Sequence, residues 1–330
     1  MSSVTSQSVT CGICPRGCVL RPGETGFCGV RHNLDGRLVP VVPEEICALA
    51  IDPVEKKPFY HVTPGAAVYS VACAGCTLRC RHCQNADISW SGTAAVRGRR
   101  HSPADVVRDL RQHDCRWVAY TYSEPFAWLE YTLACCRAVC ETGAGNMLVT
   151  SGYASAAAVR SVAPLVAAAN VDLKSMNDRF YREVCDGALA PVLRTIEILQ
   201  AAGTHLEITN LLIPGKNDSD AEIAALVEWV KTHPGPETPL HFSAFYPTNQ
   251  MQDVPPTSAA TLRRACKLAR EAGLHHVYAG NIELADGSNT NCHNCGALLV
   301  SRHRYRVLEN RVGQTGACPQ CGTQIRGIWS

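Results

Sequence analysis

The 330-residue sequence has no uninterrupted apolar run long enough to span a bilayer. Its longest apolar stretches, such as Ala154–Val171, are alanine-rich and broken by Ser, Arg, Pro or Asn, short of the ~20 continuous apolar residues a membrane span needs. No single sign of charge dominates: 31 Lys+Arg face 29 Asp+Glu, so no broad field draws the chain to nucleic acid or to an anionic membrane. A basic, apolar, cleavable leader is also missing at the N-terminus, which sets the expectation of a reducing, cytoplasmic location without a membrane partner. Beyond an alanine bias there is no internal repeat or low-complexity segment.

Cysteine is what the sequence has in excess, 19 residues and therefore an odd number. A disulfide scaffold serves small secreted domains, and a chain of this length buries a core without staples, so metal and cluster ligation is the expected use. The cysteine spacing divides the chain into an N-terminal metal knot (1–40), a long body (41–288) and a C-terminal zinc ribbon (289–330).

In the body, short β-branched or aromatic runs alternate with longer segments at helical spacing. Val68–Cys73, Trp117–Thr121, Met147–Thr150, Val171–Lys174, His205–Leu212, Leu240–Ser243 and His276–Ala279 are predicted strands. Ser102–His113, Pro125–Glu141, Ser155–Ala169, Pro191–Ala202, Asp218–His233 and Thr257–Ala272 are predicted helices, with N-cap chemistry at Ser102, Ser155 and Asp218-Ser-Asp. Repeated β-α units imply a parallel sheet with right-handed crossovers, and six or seven strands fit an α/β fold built as a partial (β/α) barrel.

Directly after the first of these strands comes Gly75-Cys76-Thr77-Leu78-Arg79-Cys80-Arg81-His82-Cys83, a C-x3-C-x2-C loop. Three thiolates hold three irons of a four-iron cluster and leave the fourth iron without a protein ligand. A structural zinc site borrowing His82 is the competing reading, but zinc normally takes two evenly spaced ligand pairs. Position favours the cluster, because ligand sites in parallel sheets form at the carboxyl ends of strands. Ser123 and Glu124, Ser151 and Gly152, Asp172 and Lys174, Asn210 and His241 all fall at or near such ends. Each has an ordinary reading as a helix-start acid, a salt-bridge partner or a core histidine, and it is their joint occurrence above a cysteine loop that points to a cofactor site.

The chain here resembles the radical SAM superfamily, in particular its pyruvate formate-lyase-activating-enzyme-like branch and the AmmeMemoRadiSam system radical SAM enzymes. The matching segments run nearly end to end: Cys14-Pro-Arg-Gly-Cys18, Gly26-Phe-Cys28-Gly-Val-Arg31, Asp52-Pro-Val-Glu-Lys-Lys-Pro58, the cysteine loop through Asn85, Tyr122-Ser-Glu-Pro125, Val171-Asp-Leu-Lys174, Ile213-Pro-Gly-Lys-Asn-Asp218, His241-Phe-Ser243 and Val277-Tyr-Ala-Gly-Asn281. The resemblance implies a [4Fe-4S] cluster on Cys76, Cys80 and Cys83 and S-adenosylmethionine beside it. It places Ser123 and Glu124 by the methionine amino group, Ser151 and Gly152 by the ribose, and Asp172, Lys174 and His241 by the cofactor's polar groups. It also implies a flavodoxin- or ferredoxin-type electron donor and a 5'-deoxyadenosyl radical that abstracts hydrogen from a substrate, whether protein, RNA or small metabolite. Thr77 and Ser151 depart from the Asn usual in the family at both positions, which leaves the detailed cofactor contacts open.

The C-terminal Cys292-x2-Cys295-Gly and Cys318-x2-Cys321-Gly knuckles have zinc-ribbon spacing. Arg302, His303, Arg304 and Arg306 form a basic strand there, read either as a solvated face or as a grip on a macromolecule. Cys11, Cys14, Cys18 and Cys28 supply four soft ligands for zinc, the first choice, or for an auxiliary iron-sulfur cluster. His61 is equally a cofactor contact or packing beneath the barrel, and Glu55, Lys56 and Lys57 form an active patch or a solvated one. Cys135, Cys136 and Cys140 are expected to be buried small hydrophobes. Three functions stand: a radical SAM enzyme, oxidoreductase or activase-like, of unassigned substrate; an activase placing a glycyl radical on a partner protein; and a non-enzymatic zinc adaptor.

Overall fold

Seven runs of buried, mostly β-branched or aromatic residues can satisfy their backbones only by pairing side by side, and they do so in strict chain order. The computed structural model describes residues 7–41, 43–92, 96–285 and 287–330. Its main sheet has eight strands: β1 (Ala48–Pro53), β2 (Ala67–Ala72), β3 (Trp117–Tyr120), β4 (Gly145–Thr150), β5 (Ala168–Asp172), β6 (His205–Leu212), β7 (Leu240–Ala244) and β8 (Val277–Gly280). Each strand neighbours the next in sequence; β2 to β8 are parallel, and β1 adds one antiparallel edge strand that the sequence reading missed. The first and last strands do not pair, which makes the curved sheet a partial barrel.

Parallel neighbours require crossovers, and helices supply them: α1 (Pro103–Gln112), α2 (Leu129–Cys140), α3 (Ala156–Val162), α4 (Leu189–Ala201), α5 (Asp220–Thr232) and α6 (Ala259–Glu271). Ser102 opens α1 with a full capping box to Asp105, and Ser155, Ser219 and Ser258 cap α3, α5 and α6 through their hydroxyls. Two predicted helices were too long. The one expected over Ser155–Ala169 stops at Val162, because Pro164 forces a short 3-10 turn and Ala168 already belongs to β5. The one expected from Pro125 begins at Leu129, since the preceding residues form a turn in which the Phe126 amide donates to Glu124. Among the described residues, no helix is long and apolar enough to cross a membrane.

Strand alternation separates two environments. On β6, Leu206, Ile208 and Leu212 pack outward under the helices, whereas His205, Glu207 and Thr209 point into the barrel. The lower interior is closed by an apolar plug in which Val54, Phe59 and Val62 meet Val68, Trp117, Met147 and Ala168. The C-terminal segment caps this plug from outside: the Ile328 amide donates to the His61 carbonyl at 2.7 Å, and the Thr63 amide to the Ile328 carbonyl at 2.6 Å. The ribbon itself is a three-stranded antiparallel sheet, Thr290–Asn291, Leu298–His303 and Arg306–Asn310.

Its basic strand is not a continuous solvated face. Arg302 is buried and pairs with Glu55 at 3.3 Å, both side chains being fully covered, and also donates to the Tyr60 carbonyl at 2.7 Å. His303 and Arg304 share Glu283 at the surface. Glu55 and Lys57 are thus buried, and the expectation of a solvated acidic-basic patch fails for both. Cys135 and Cys136 are buried as expected, but Cys140 is exposed. Removing one partner of a covered ion pair leaves the other uncompensated, so Arg302→Ala is expected to lower the unfolding free energy by about 3–5 kcal/mol in urea titration. Arg304→Ala, whose partner is solvated, is expected to leave the midpoint nearly unchanged.

Candidate functional site

A cavity of about 330 Å³ opens at the carboxyl ends of the parallel strands. The loop after β2 contributes Cys76, Cys80 and Cys83; the end of β3 contributes Tyr122, Ser123 and Glu124; Ser151, Asp172, Lys174, Thr209 and Ser243 come from the next four strands. Of the residues expected at the site, Gly152, Asn210 and His241 do not line this space; Asn210 faces away and donates to the Leu173 carbonyl at 2.7 Å. Gly152 turns away with φ +70°, and its carbonyl accepts from Thr195 Oγ1 at 2.7 Å. His241 lies two residues below Ser243 on the same strand face, with its Nε2 2.6 Å from Glu207.

Irregular backbone carries the cysteine loop, so its carbonyls need partners from elsewhere. Arg79 donates to the carbonyls of Cys76 and Leu78 at 3.0 Å each and to that of Phe27 at 2.6 Å. Arg16 reaches in from the N-terminal knot to the Thr77 carbonyl at 2.9 Å. From the other side, the Arg79 and Arg81 amides pair with the Cys185 and Val184 carbonyls. Gly75, at φ +103°, lets the knot approach: a Cβ there would sit 2.2 Å from Val30 and 2.7 Å from the Cys28 carbonyl.

The donor set suits a metal centre. Burial raises the thiol pKa of Cys76 and of Cys83, and the contact with Cys185 together with burial raises that of Cys80. Three thiols held neutral in one wall become thiolates only against a strong local cation. Their sulfurs do not converge as ligands of one small ion: among the described residues the groups whose ligand atoms all lie within 4.8 Å of one another are the four C-terminal cysteines, Cys80 with His82 and Cys185, and Glu237 with His275 and His293. Cys76, Cys80 and Cys83 are not among those tight groups, and all three line the same cavity. His82, the ligand of the zinc reading, is fully buried; burial and Lys174 pull its pKa down to about 3, and its Nδ1 has no partner.

Glu124 ties two strand ends together. Its carboxylate accepts from Thr150 Oγ1 at 2.7 Å, from the Ser151 amide at 2.9 Å and hydroxyl at 2.5 Å, and from the Phe126 amide. Burial nonetheless pushes its pKa up, against those hydrogen bonds. Ser123 donates to the Cys73 carbonyl and accepts from Trp128 Nε1. Lys174 pairs with Asp172 at 3.1 Å; burial works against its charge, but Asp172 together with Cys80, Cys185 and Tyr181 outweighs it and holds the pKa above the usual lysine value.

One feature was left open by the sequence reading and another escaped it. One is a charge cluster on the cavity wall: Lys56 and Lys57 both reach Asp52 at 2.7 Å, and Tyr122 donates to the same carboxylate. Tyr122 adopts φ +65°, costly for an aromatic residue, while its carbonyl accepts from Asn85 of the cysteine loop at 2.8 Å. The other is Glu207, fully buried beneath the cavity, which accepts from the Tyr60 and His61 amides and meets His205 and His241. A run of polar residues at every second position of an otherwise apolar strand, His205, Glu207, Thr209, was the signal available for it. His61 belongs to this lower layer too, between the Arg326 carbonyl and Tyr278 Oη at 2.7 Å each, which settles it as packing beneath the barrel.

Burial raises the Glu207 pKa, but the hydrogen bonds and charges of His205 and His241 outweigh that and hold it well below the usual carboxylate range. A depressed carboxyl adds stability that is present above the unfolded pKa and lost as pH falls toward the folded one. Thermal unfolding of the wild-type protein is therefore expected to lose midpoint steadily below about pH 4.5, and the Glu207→Gln variant to start lower and show a shallower acid slope.

Comparison with known proteins agrees with this geometry. A model of the Radical SAM superfamily matches residues 71–228, which span the cysteine loop and five of the parallel strands' segments up to α5. The uncharacterized protein MJ0808 of Methanocaldococcus jannaschii is 40% identical over 318 residues, 96% of this chain and 95% of that protein. The isethionate sulfite-lyase activating enzyme of Desulfovibrio desulfuricans is 25% identical over 170 residues, 49% of this chain and about half (53%) of its own length. Among solved structures, a radical SAM methyltransferase from Sphaerobacter thermophilus superposes with a TM-score of 0.53 at 18% identity over 71% of each chain, a likeness of fold. With a thiol-lined cavity at the strand ends and these relatives, the chain belongs to the radical SAM superfamily and is an enzyme of that class.

Proposed function

We propose that this protein reductively cleaves S-adenosylmethionine and uses the resulting 5'-deoxyadenosyl radical to take a hydrogen atom from a substrate. The observation that carries this reading is the presence of Cys76, Cys80 and Cys83 in one cavity with Glu124, Ser151, Asp172 and Lys174. A [4Fe-4S] cluster on those three thiolates, one iron free of protein ligands, would supply the electron that opens the sulfonium carbon-sulfur bond.

The chain's own residues bind, orient and exclude water. Glu124 and Ser123 take the methionine amino group, Ser151 the ribose region, and Asp172 with Lys174 the remaining polar groups; Gly152, which turns away from the cavity, only shapes the turn after Ser151. His241 acts from below through Glu207, as a positioning residue. The apolar plug around Phe59 keeps water from entering through the barrel's lower end. A one-electron donor of the flavodoxin or ferredoxin type is the partner this chemistry needs. At the ribbon, Cys292–Cys321 and Cys295–Cys318 sulfur separations of 3.6 and 3.7 Å match the edge of a tetrahedron with zinc-sulfur bonds of about 2.3 Å, and structural zinc is the reading they support.

The likeness to activating enzymes favours a protein as substrate, which receives a glycyl radical. The adaptor reading does not survive membership of an enzyme superfamily. The gathering of Cys80, His82 and Cys185 favours a mononuclear zinc site instead, which would leave Cys76 and Cys83 idle in the cavity.

Anaerobically reconstituted, dithionite-reduced protein is expected to form 5'-deoxyadenosine from S-adenosylmethionine, and Cys76→Ala, Cys80→Ala and Cys83→Ala each to reduce it to background. Zinc retained at this loop with no 5'-deoxyadenosine from wild-type protein would contradict the reading. Loss of one hydrogen bond to a charged group is worth about 1.5–3 kcal/mol, so Glu124→Ala should weaken S-adenosylmethionine binding roughly 10- to 100-fold in a titration of the reduced protein.

A further inference from the structure

Three segments at the lower end of the barrel each bring one metal-ligating side chain to the same place. The parallel strands have their carboxyl ends at the cavity, so the turns that lead into β7 and β8 lie at the opposite end. Glu237 sits in the turn before β7 and His275 in the turn before β8, while His293 comes from the ribbon's first knuckle, between Cys292 and Cys295. Their ligand atoms, one from each side chain, all lie within 4.8 Å of one another.

Backbone hydrogen bonds hold all three positions. The Thr238 amide donates to the Gly235 carbonyl at 3.1 Å and closes the turn around Glu237; the His275 amide donates to the Pro236 carbonyl at 2.9 Å and ties that turn to His275. On the ribbon, the Gly296 amide donates to the Cys292 carbonyl and the Cys292 amide to the Ala297 carbonyl, both at 2.9 Å, so the knuckle carrying His293 is closed as well. The His275 and His293 rings stack with centroids 4.2 Å apart and an angle of 11° between their planes. His275 is exposed, so its ring can turn out of the stack and point a nitrogen at a shared ion without disturbing the core.

A shortage of partners is the second observation. His293 Nδ1 is buried and makes no hydrogen bond, and the same holds for Nε2 of the buried His276, whose ring lies 5.6 Å from that of His293. Buried polar nitrogens are nearly always paired, and two unpaired imidazole nitrogens beside one carboxylate mark a place that the surrounding side chains leave to a ligand. Two imidazoles and one carboxylate are the donors of three-ligand zinc sites, in which water takes the fourth position. Calcium and magnesium, which take all-oxygen sets, do not suit them.

We infer that Glu237, His275 and His293 form a binding site for a divalent ion of the zinc class, which clips the ribbon to the lower end of the barrel. The ribbon already meets the barrel through the buried Arg302–Glu55 pair and through the backbone bonds of Ile328 to His61 and Thr63. A shared ion adds a third tie, a detachable one, at the first knuckle. The site is distinct from the four ribbon cysteines and remote from the cavity, so it does not rest on the proposed function.

Zinc titration of the full-length protein, carrying its cysteine-bound metals and freed of loosely held ions on a chelating resin, tests the site. Wild-type protein is expected to take up about one further zinc per chain. Losing even an outer partner of a metal ligand costs roughly 10- to 100-fold in affinity, so His275→Ala should weaken this uptake by more than about 100-fold, and Glu237→Gln should weaken it too. Cobalt(II) added in place of zinc should give the weak visible bands of nitrogen and oxygen ligation, without sulfur-to-metal charge transfer. With zinc bound, amide hydrogen exchange over residues 292–297 should slow in the wild type and not in His275→Ala. No further zinc in the wild type, equal uptake by wild type and His275→Ala, or cobalt bands of thiolate ligation would overturn the site. Uptake that leaves the exchange of the knuckle unchanged would overturn its role as a clip.

Discussion

A loop that must present three thiols to a cavity has neither ladder nor helix to satisfy its backbone, and here two guanidinium groups do that work. Arg79 gathers the Cys76, Leu78 and Phe27 carbonyls, and Arg16 takes that of Thr77. Because Arg16 and Phe27 belong to the N-terminal knot, and the loop's amides pair with the Val184–Cys185 carbonyls, the thiols are positioned by segments far apart in sequence. Arg79 also lies over the Phe27 ring, 4.4 Å from its centroid, so the clamp is packed as well as hydrogen-bonded. The knot is thus part of the site's construction.

The barrel interior shows a gradient that fixes where chemistry takes place. Apolar side chains fill the lower end around Phe59, a paired polar layer of Glu207, His241, His61 and Tyr278 follows, and the upper end is open and lined with polar groups. Each buried charge in the middle layer has a partner, as the cost of leaving one unpaired demands. The C-terminal ribbon completes this arrangement by inserting Arg302 against Glu55 and Tyr60. A ribbon whose strongest cation faces inward is a closure for the barrel's lower end.

Sequence reading recovered the seven parallel strands because each is a short apolar run bounded by turn residues, and the cysteine loop because its spacing is unambiguous. It overran α3, where Ala157–Val162 and Ala167–Ala169 share composition and only Pro164 marks the boundary. The edge strand Ala48–Pro53 was missed since its partner pairing is antiparallel and its exposure irregular. At the site, position along a strand identified Ser123, Glu124, Ser151, Asp172 and Lys174 as cavity residues, but it could not tell the upper layer from the one beneath. His241 and Ser243 share a strand face, and only the depth of each within the barrel separates a lining residue from a buried partner of Glu207. Lys56 and Lys57 were left open between an active and a solvated patch for another reason: charged residues in a row read as solvated until tertiary packing buries them, as it does Asp52 and Lys57 while Lys56 stays exposed.

The central claim is that the Cys76 loop holds a cluster with one iron left for the substrate's own ligands. Electron-nuclear double resonance on the reduced protein, with S-adenosylmethionine carrying 15N in its amino group, tests it most directly. The account predicts a 15N coupling to the cluster spin that appears when this cofactor is added and is lost in Cys83→Ala. A reduced cluster signal that shows no 15N coupling under saturating S-adenosylmethionine would contradict it.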